Sequence, residues 1–338
     1  MVQESIDKSN MRRIISDFPK QFRVGIKAAE NIKIDGRFDT VVVCGMGGSA
    51  LPGDILNVWL KVYQIGLPLV INRSYKLPAG DERCLYVCIS HSGNTEELLY
   101  NYREIIKRGL PVLAITSGGK LAKLAKINKT PTVIVPGNIP PRMALGYQFA
   151  ALMKVLVNAG IIQNELKNIL GLEKSLKPKE AERPGKEMAG RLKGKIPIIY
   201  ASDLWEPIAR IWKTNFCENA KVLAFHNYFP ELCHNEIVGF WQINKMQIPS
   251  SKLHLIILKD NTVHRRILKQ MEIVKNLIKK EGVEVEFIKI KGKDILEKIF
   301  SNVLSSFWTS YHLALLYKVD PTPIKITEEL KRRLSQTL

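Results

Sequence analysis

Along the first half of the chain, short runs of β-branched and apolar residues alternate with longer segments of helical period. The run Thr-Val-Val-Val-Cys at 40–44 predicts a buried strand, and the apolar spacing after it predicts a helix over 51–63. Further strands are expected at 68–72, 85–89, 111–116 and 132–135. A helix over 95–107 separates the third strand from the fourth, and a long apolar helix over 143–157 follows the fifth. Strands this short and this uniformly apolar belong to a parallel sheet covered by helices on both faces. The alternation then stops. Residues 160–195 are rich in Lys and Glu, punctuated by Pro178, Pro184 and Pro197, and read as a helical connector at a domain boundary. It resumes with strands at 196–201, 221–225, 253–258 and 283–290 and helices at 205–219, 263–281 and 294–317.

The two halves also repeat. "LYVCISHSGNTEELLYNYREIIKRGLPVLAIT" and "LHLIILKDNTVHRRILKQMEIVKNLIKKEGVEVEFIKI" both read strand, Asn-Thr turn, helix, Gly, strand. The expected fold is α/β, two doubly wound, mainly parallel-sheet domains in tandem. Their bounds are 1–158 and 196–338, with the connector at 159–195. The copies differ in the turn. The first carries Ser90, Ser92 and Gly93; the second carries Asp260, an acid that would repel phosphate. One phosphate site retained out of two is the simplest reading.

Composition narrows the class. An apolar fraction of 46% in 338 residues is that of a folded globular chain. No apolar run reaches the roughly 20 residues needed to span a bilayer, and the N-terminus has no signal-peptide core. A cytoplasmic protein is expected. The five cysteines follow no C-x-x-C spacing and read as free thiols. Net charge is +19, but the Lys and Arg residues are spread, with no aromatic-interleaved basic stripe and no nucleic-acid-binding signature. Nucleic acid and membrane partners are therefore not expected. Most of this charge is solvated surface, and a positive field also suits a phosphorylated substrate.

"ISHSGNTEE" is the strongest chemical motif. Ser90, Ser92 and Thr95 place three hydroxyls around a helix N-terminus, where unpaired N–H groups and the helix dipole attract an anion, and Gly93 permits close backbone approach. A plain capping box, with Asn94 or Thr95 as cap and Glu97 in the first turn, is the competing reading. "CGMGGSALPGDIL" adds Gly45, Gly47 and Gly48 after a buried strand, with Ser49 as helix cap. Its Gly45-x-Gly47-x-x-Ala50 also matches a dinucleotide fingerprint, with Arg73 after the second strand available for a 2′-phosphate. That NADP-binding oxidoreductase reading leaves the serine turn without a task. A phosphosugar lying across both turns occupies both.

"VVVCGMGGSA" followed by "SHSGNTEE" resembles the sugar-isomerase domain. "PPRMALGY", "NFCENAK", "FPELCHNEIVGF" and "DPTPI…LK" resemble one family within it, the bifunctional phosphoglucose/phosphomannose isomerases, over about residues 16–334. The resemblance implies a homodimer that interconverts glucose 6-phosphate and mannose 6-phosphate with fructose 6-phosphate through a cis-enediol. It implies an active site in the cleft between the domains. Gly47, Gly48, Ser49, Ser90, Ser92 and Thr95 would hold the phosphate. Glu218 would be the base, in partly apolar Phe-Cys-Glu-Asn surroundings that can raise a carboxyl pKa. His234 would open the ring, reaching an active site across the subunit interface, and Arg142 would sit over the developing enediolate. A sugar-contacting lysine near the C-terminus falls on Lys331, with Lys325 competing. Neither a cofactor nor a metal is expected, since no His or Cys residues cluster at ligand spacing. A non-catalytic phosphosugar-sensing regulator remains the other alternative, although no helix-turn-helix precedes the first strand.

Overall fold

The computed structural model describes residues 6–246, 249–334 and 336. The described residues include, before the first strand, α1 (Met11–Asp17) and α2 (Lys20–Ala28). The alternating segment follows as β1 (Thr40–Cys44), α3 (Leu51–Val62), β2 (Leu69–Asn72), β3 (Cys84–Ser90), α4 (Glu96–Lys107), β4 (Val112–Thr116), α5 (Gly119–Ile127), β5 (Thr132–Ile134) and α6 (Leu145–Asn158). Two helices form the connector, α7 (Leu166–Ser175) and α8 (Pro178–Leu192). The second alternating segment contains β6 (Ile196–Ser202), α9 (Glu206–Asn215), β7 (Phe225–Phe229), β8 (Leu253–Lys259), α10 (Arg265–Lys280), β9 (Glu284–Lys289), α11 (Ile295–Leu316) and α12 (Lys325–Leu334).

The chain divides into two compact units. One holds Ser16–Lys177 with Gly292–Ser301; the other holds the described residues up to Ile15, Pro178–Lys291 and Asn302 onward. The boundary thus falls inside the expected connector, between α7 and α8, rather than at its two ends. Each unit also takes a short piece from the far side of that boundary, which adjacency in sequence does not reveal. Phe300 shows why the first unit claims 292–301. Its ring packs 4.6 Å from Phe22 and 5.2 Å from Phe149.

In the first unit the sheet is parallel, in the order β2-β1-β3-β4-β5. β3 is buried at every residue, which accounts for its uninterrupted apolar sequence. One face, with Val42, Cys44, Tyr86 and Cys88, is covered by Leu98, Leu99, Tyr102 and Ile105 of α4 and by Leu121 and Ala125 of α5. Each of the leucines and the isoleucine contributes about 1.5–3 kcal/mol on burial. In the second unit the order is β7-β6-β8-β9, again all parallel. Written from the first strand of each unit, both sheets run 2-1-3-4, so the repeat in the sequence is a repeat of topology. The fold is the expected α/β pair of parallel-sheet domains.

Three expectations need correction. The strand expected at 221–225 lies at Phe225–Phe229; Lys221 is left-handed at φ 58° and ends the preceding helix. The helix expected over 205–219 becomes α-helical only at Glu206 and turns into a π-helical segment at Phe216–Ala220. Ser49 does not cap α3. The cap position is Ala50, and Ser49 closes a short 3₁₀ turn, Gly47–Ser49. All five cysteines are free. Among the described residues, no helix is long and apolar enough to cross a membrane.

Candidate active site

In a 2-1-3-4 parallel sheet the connections leave the first strand in opposite directions, and the loops after strands 1 and 3 border a crevice at their carboxyl ends. In the first unit those loops are the Gly47–Ser49 turn after β1 and the serine turn after β3. They are tied together. Ser49 Oγ accepts a hydrogen bond from the His91 backbone N–H (3.1 Å) and one from Gln148 Nε2 of α6 (3.3 Å). Ser49 is thus a buried junction among three elements, which explains why its hydroxyl is not spent on a helix cap.

The serine turn is held from below by the loop after β4. Gly93 has φ 65°, and a Cβ there would lie 1.9 Å from the Gly118 carbonyl oxygen. The Leu121 N–H donates to the Gly93 carbonyl (2.9 Å), Ser117 Oγ donates to the His91 carbonyl (2.6 Å), and the Lys120 N–H donates to Asn94 Oδ1 (3.0 Å). Ser117, Gly118 and Gly119 were not singled out from the sequence. The signal that could have found them is the Ser-Gly-Gly run directly after a strand.

The hydroxyls within the turn do not form the plain capping box. Thr95 does occupy the N-cap position of α4, but its side chain makes no capping bond. Its Oγ1 lies 2.9 Å from Ser90 Oγ instead. Ser90 is fully buried at the strand end, while Ser92 is exposed and accepts from the Asn94 N–H (3.3 Å). His91 points inward and is buried. Burial pushes its pKa below the ordinary histidine value, opposed only in part by the Ile139 backbone, so it is neutral at pH 7. A neutral side chain adds no charge beneath the turn.

Arg142 lies in a 3₁₀ turn, Pro141–Met143, and is 2% exposed, not the solvated first-turn cation that its position before a helix suggests. Its backbone presses on the glycine turn, and a Cβ on Gly48 would fall 2.8 Å from Arg142 Cα. Gly48 is therefore small to admit the Arg142 turn. Gln21 of α2 braces the same turn, donating to the Met143 carbonyl (2.8 Å) and accepting from the Gly146 N–H (3.0 Å). Gly47, Gly48, Ser49, Ser90, Ser92, Thr95 and Arg142 thus gather at one end of one sheet. Arg73, which a 2′-phosphate would need, forms an ion pair with the buried carboxylate of Asp54.

In the second unit, Glu218 sits in the π-helical turn Phe216–Ala220, half-buried, on the wall of a cavity of about 750 Å³. A π turn re-aims the residues it carries relative to an α-helix. Two buried asparagines four residues apart fix it to α11: Asn215 Nδ2 donates to Ser306 Oγ (2.8 Å) and Asn219 Nδ2 to Ser310 Oγ (2.9 Å). Cys217, Lys221, Asp320, Pro323 and Lys325 line the same cavity. The competing lysine, Lys325, therefore shares a cavity with Glu218. Lys331 lies further along α12, exposed, and is not among the lining residues.

His234 ends a 3₁₀ turn, Glu231–His234, and is exposed; it does not line the Glu218 cavity. Its segment is anchored two residues on by Glu236, whose carboxylate accepts from Tyr200 Oη and Asn227 Nδ2. Burial and that carboxylate push the Tyr200 pKa far up, so its hydroxyl stays a donor. Asp260 is not a spare acid. It is buried, accepting from Trp205 Nε1 (3.2 Å) and from the Thr262 N–H (3.1 Å).

With this geometry in place, comparison with known proteins settles the family. A curated bifunctional phosphoglucose/phosphomannose isomerase of Caldicellulosiruptor bescii is 36% identical over 331 residues, covering 94% of this chain and 95% of the relative. The chain belongs to the bifunctional phosphoglucose/phosphomannose isomerases. The member from Aquifex aeolicus is 35% identical over 298 residues, 88% of this chain and 90% of that one. Residues 181–334 match the bacterial phospho-glucose isomerase C-terminal SIS domain. Among solved structures, the C-terminal domain of a glucosamine-fructose-6-phosphate aminotransferase from Francisella tularensis has a TM-score of 0.74 at 15% identity, covering 93% of this chain and 98% of that one, a likeness of fold.

Proposed function

We propose that this isomerase interconverts glucose 6-phosphate and mannose 6-phosphate with fructose 6-phosphate, with the serine turn binding the phosphoryl group and Glu218 moving the proton. Family membership at 36% identity over nearly the whole chain supports the reaction. For the residues, the observation that carries most is the π turn that holds Glu218 on a cavity wall, braced by two asparagine–serine bonds.

The chemistry follows from these groups. Ser49, Ser90, Ser92 and Thr95, with the N-terminus of α4, take the phosphate. His234, exposed on its own protomer, serves ring opening at the site of a partner subunit in a homodimer. Glu218 takes the proton from C2 of an open aldose and returns it to C1 while the hydroxyl proton passes from O2 to O1, so the carbon acid goes through a cis-enediolate with no net gain or loss of electrons. Arg142 stabilises the negative charge that develops on the enediolate oxygens. Lys325 contacts the sugar in place of Lys331. A proton moved by one carboxylate needs no cofactor, and the enzyme is expected to work in the cytoplasm.

The test is conversion of fructose 6-phosphate by wild type and Glu218→Gln. General acid–base catalysis is typically worth about 10²–10⁴-fold, so the variant is expected to lose at least about a hundredfold in kcat while still binding the sugar phosphate. Wild type is expected to form both aldose phosphates. Glucose 6-phosphate alone removes the second activity, and undiminished turnover by the variant removes Glu218 as the base.

A further inference from the structure

The π turn carrying Glu218 ends on a residue in a conformation that ordinary side chains avoid. Lys221 has φ 58° and ψ 31°. For a residue other than glycine this costs on the order of 1 kcal/mol and persists where the surroundings over-determine it. What holds it is visible on both backbone and side chain. The Lys221 N–H closes on the Phe216 carbonyl, and the Val222 N–H reaches the same oxygen at 3.2 Å. The ammonium then curls back over the helix end. Lys221 Nζ donates to the Glu218 carbonyl at 2.5 Å and lies 3.4 Å from the Asn219 carbonyl. Carbonyls in the last turn of a helix are the groups left without an N–H partner.

The third acceptor makes the arrangement more than a cap. Lys221 Nζ also donates to the Pro321 carbonyl at 3.0 Å, a hundred residues away. Pro321 is flanked by Asp320 and leads to Pro323, Ile324 and Lys325, which line the same cavity as Glu218. One ammonium therefore joins the peptide of the proposed base to the wall that carries the proposed sugar-contacting lysine. The asparagine–serine bonds fix the turn to α11 from the buried side. Lys221 fixes it from the cavity side, where it is exposed and adds little to global stability.

We propose that Lys221 is a positioning residue for catalysis, holding Glu218 and the 320–325 wall of the cavity in register. The inference rests on Glu218 being the base. A displacement of about 1 Å at a reacting group costs on the order of a hundredfold in rate, so loss of this clamp acts on kcat.

Four variants of the full-length enzyme test it on fructose 6-phosphate: Lys221→Gly, Lys221→Met, Lys221→Arg and Glu218→Gln. Glycine accepts the left-handed backbone and removes the whole side chain; methionine removes the ammonium and keeps an apolar stem. Lys221→Gly is expected to lower kcat about 10–100-fold, with KM within a few-fold of wild type and an unchanged melting temperature. Lys221→Met should behave alike in kcat, and Lys221→Arg should recover part of the rate. Wild-type kcat in Lys221→Gly, beside an inactive Glu218→Gln, overturns the positioning role and leaves the base in place. A kcat loss in Lys221→Gly that tracks a fall in melting temperature, with no recovery in Lys221→Arg, makes the residue merely structural and overturns the proposal too. Full activity in Glu218→Gln removes the reading on which it rests.

Discussion

The turn after β3 in the first unit and the turn after β8 in the second occupy the same place in the same sheet order, and they treat the helix that follows in opposite ways. After β8, the chain fills the turn with its own acceptors. Asp260 receives the Thr262 N–H, and His264 Nδ1, at the N-cap of α10, receives the Arg266 N–H at 3.2 Å. After β3, the N-cap hydroxyl of Thr95 is drawn back to Ser90, and the helix start is not capped by its own side chain. An internal carboxylate makes the first kind of turn self-sufficient. Under the proposed function, the turn after β3 takes its anion from outside. The difference lies in a few side chains on a shared backbone plan, and on the proposed function it assigns phosphate binding to one copy only.

That contrast can be broken most forcefully by giving the serine turn the chemistry of its counterpart. Ser92 is exposed, so Ser92→Asp places a carboxylate at the start of α4 without disturbing the core. A hydrogen bond to a charged group is worth about 1.5–3 kcal/mol, and repulsion of phosphate adds to its loss, so kcat/KM for fructose 6-phosphate should fall at least about a hundredfold. Stability should move the other way, rising by about 0.3–1 kcal/mol as the acid meets the positive end of the helix dipole. Steady-state kinetics and urea unfolding on the same preparation read both. Unchanged KM would place the phosphate elsewhere.

The reverse experiment has a smaller effect and a different readout. Asp260→Ala takes the acceptor from the buried Trp205 indole N–H, and from the Thr262 N–H of an exposed turn. It should cost about 1–3 kcal/mol in unfolding free energy while leaving KM for fructose 6-phosphate unchanged. A raised KM with no loss of stability would mean that the acidic turn also handles substrate, and the two turns would not be divided into a structural and a binding copy.

Much of this comparison was legible in the sequence, because it rests on local patterns. The buried strands announced themselves by apolar runs, and Ser90, Ser92, Gly93 and Asp260 stood in corresponding turns. What was not legible depends on contacts distant in sequence. Ser49 reads as a helix cap until His91 and Gln148 arrive from other elements. α5 escaped notice because its apolar stripe is short and Lys-rich. β7 was displaced because its residues, Phe-His-Asn-Tyr-Phe, sit half-exposed at a sheet edge and do not form the apolar run that marks a central strand. The π turn at Glu218 has no period of its own, and Lys325 and Lys331 share one short amphipathic segment. Only the cavity distinguishes between them.

The subtlest prediction concerns His91, which has no counterpart in the acidic turn. Its ring is buried within the serine turn and its folded-state pKa is depressed by that burial. The unfolded chain binds a proton near the ordinary value of about 6.5, and the folded chain only at lower pH. Below about pH 6.5 the unfolded state therefore holds more protons, and stability falls with falling pH until the folded-state pKa is passed. Above that window the contribution is fully present. Wild type should lose melting temperature between pH 7 and pH 5 to a greater degree than His91→Gln, whose amide keeps polar atoms in place and does not titrate. The serine turn, which carries His91, should show the loss first as a rise in KM for fructose 6-phosphate at mildly acidic pH, and the variant should not share that rise. Parallel pH profiles for the two proteins would place the acid sensitivity of the fold in other groups and leave His91 as a packed core side chain.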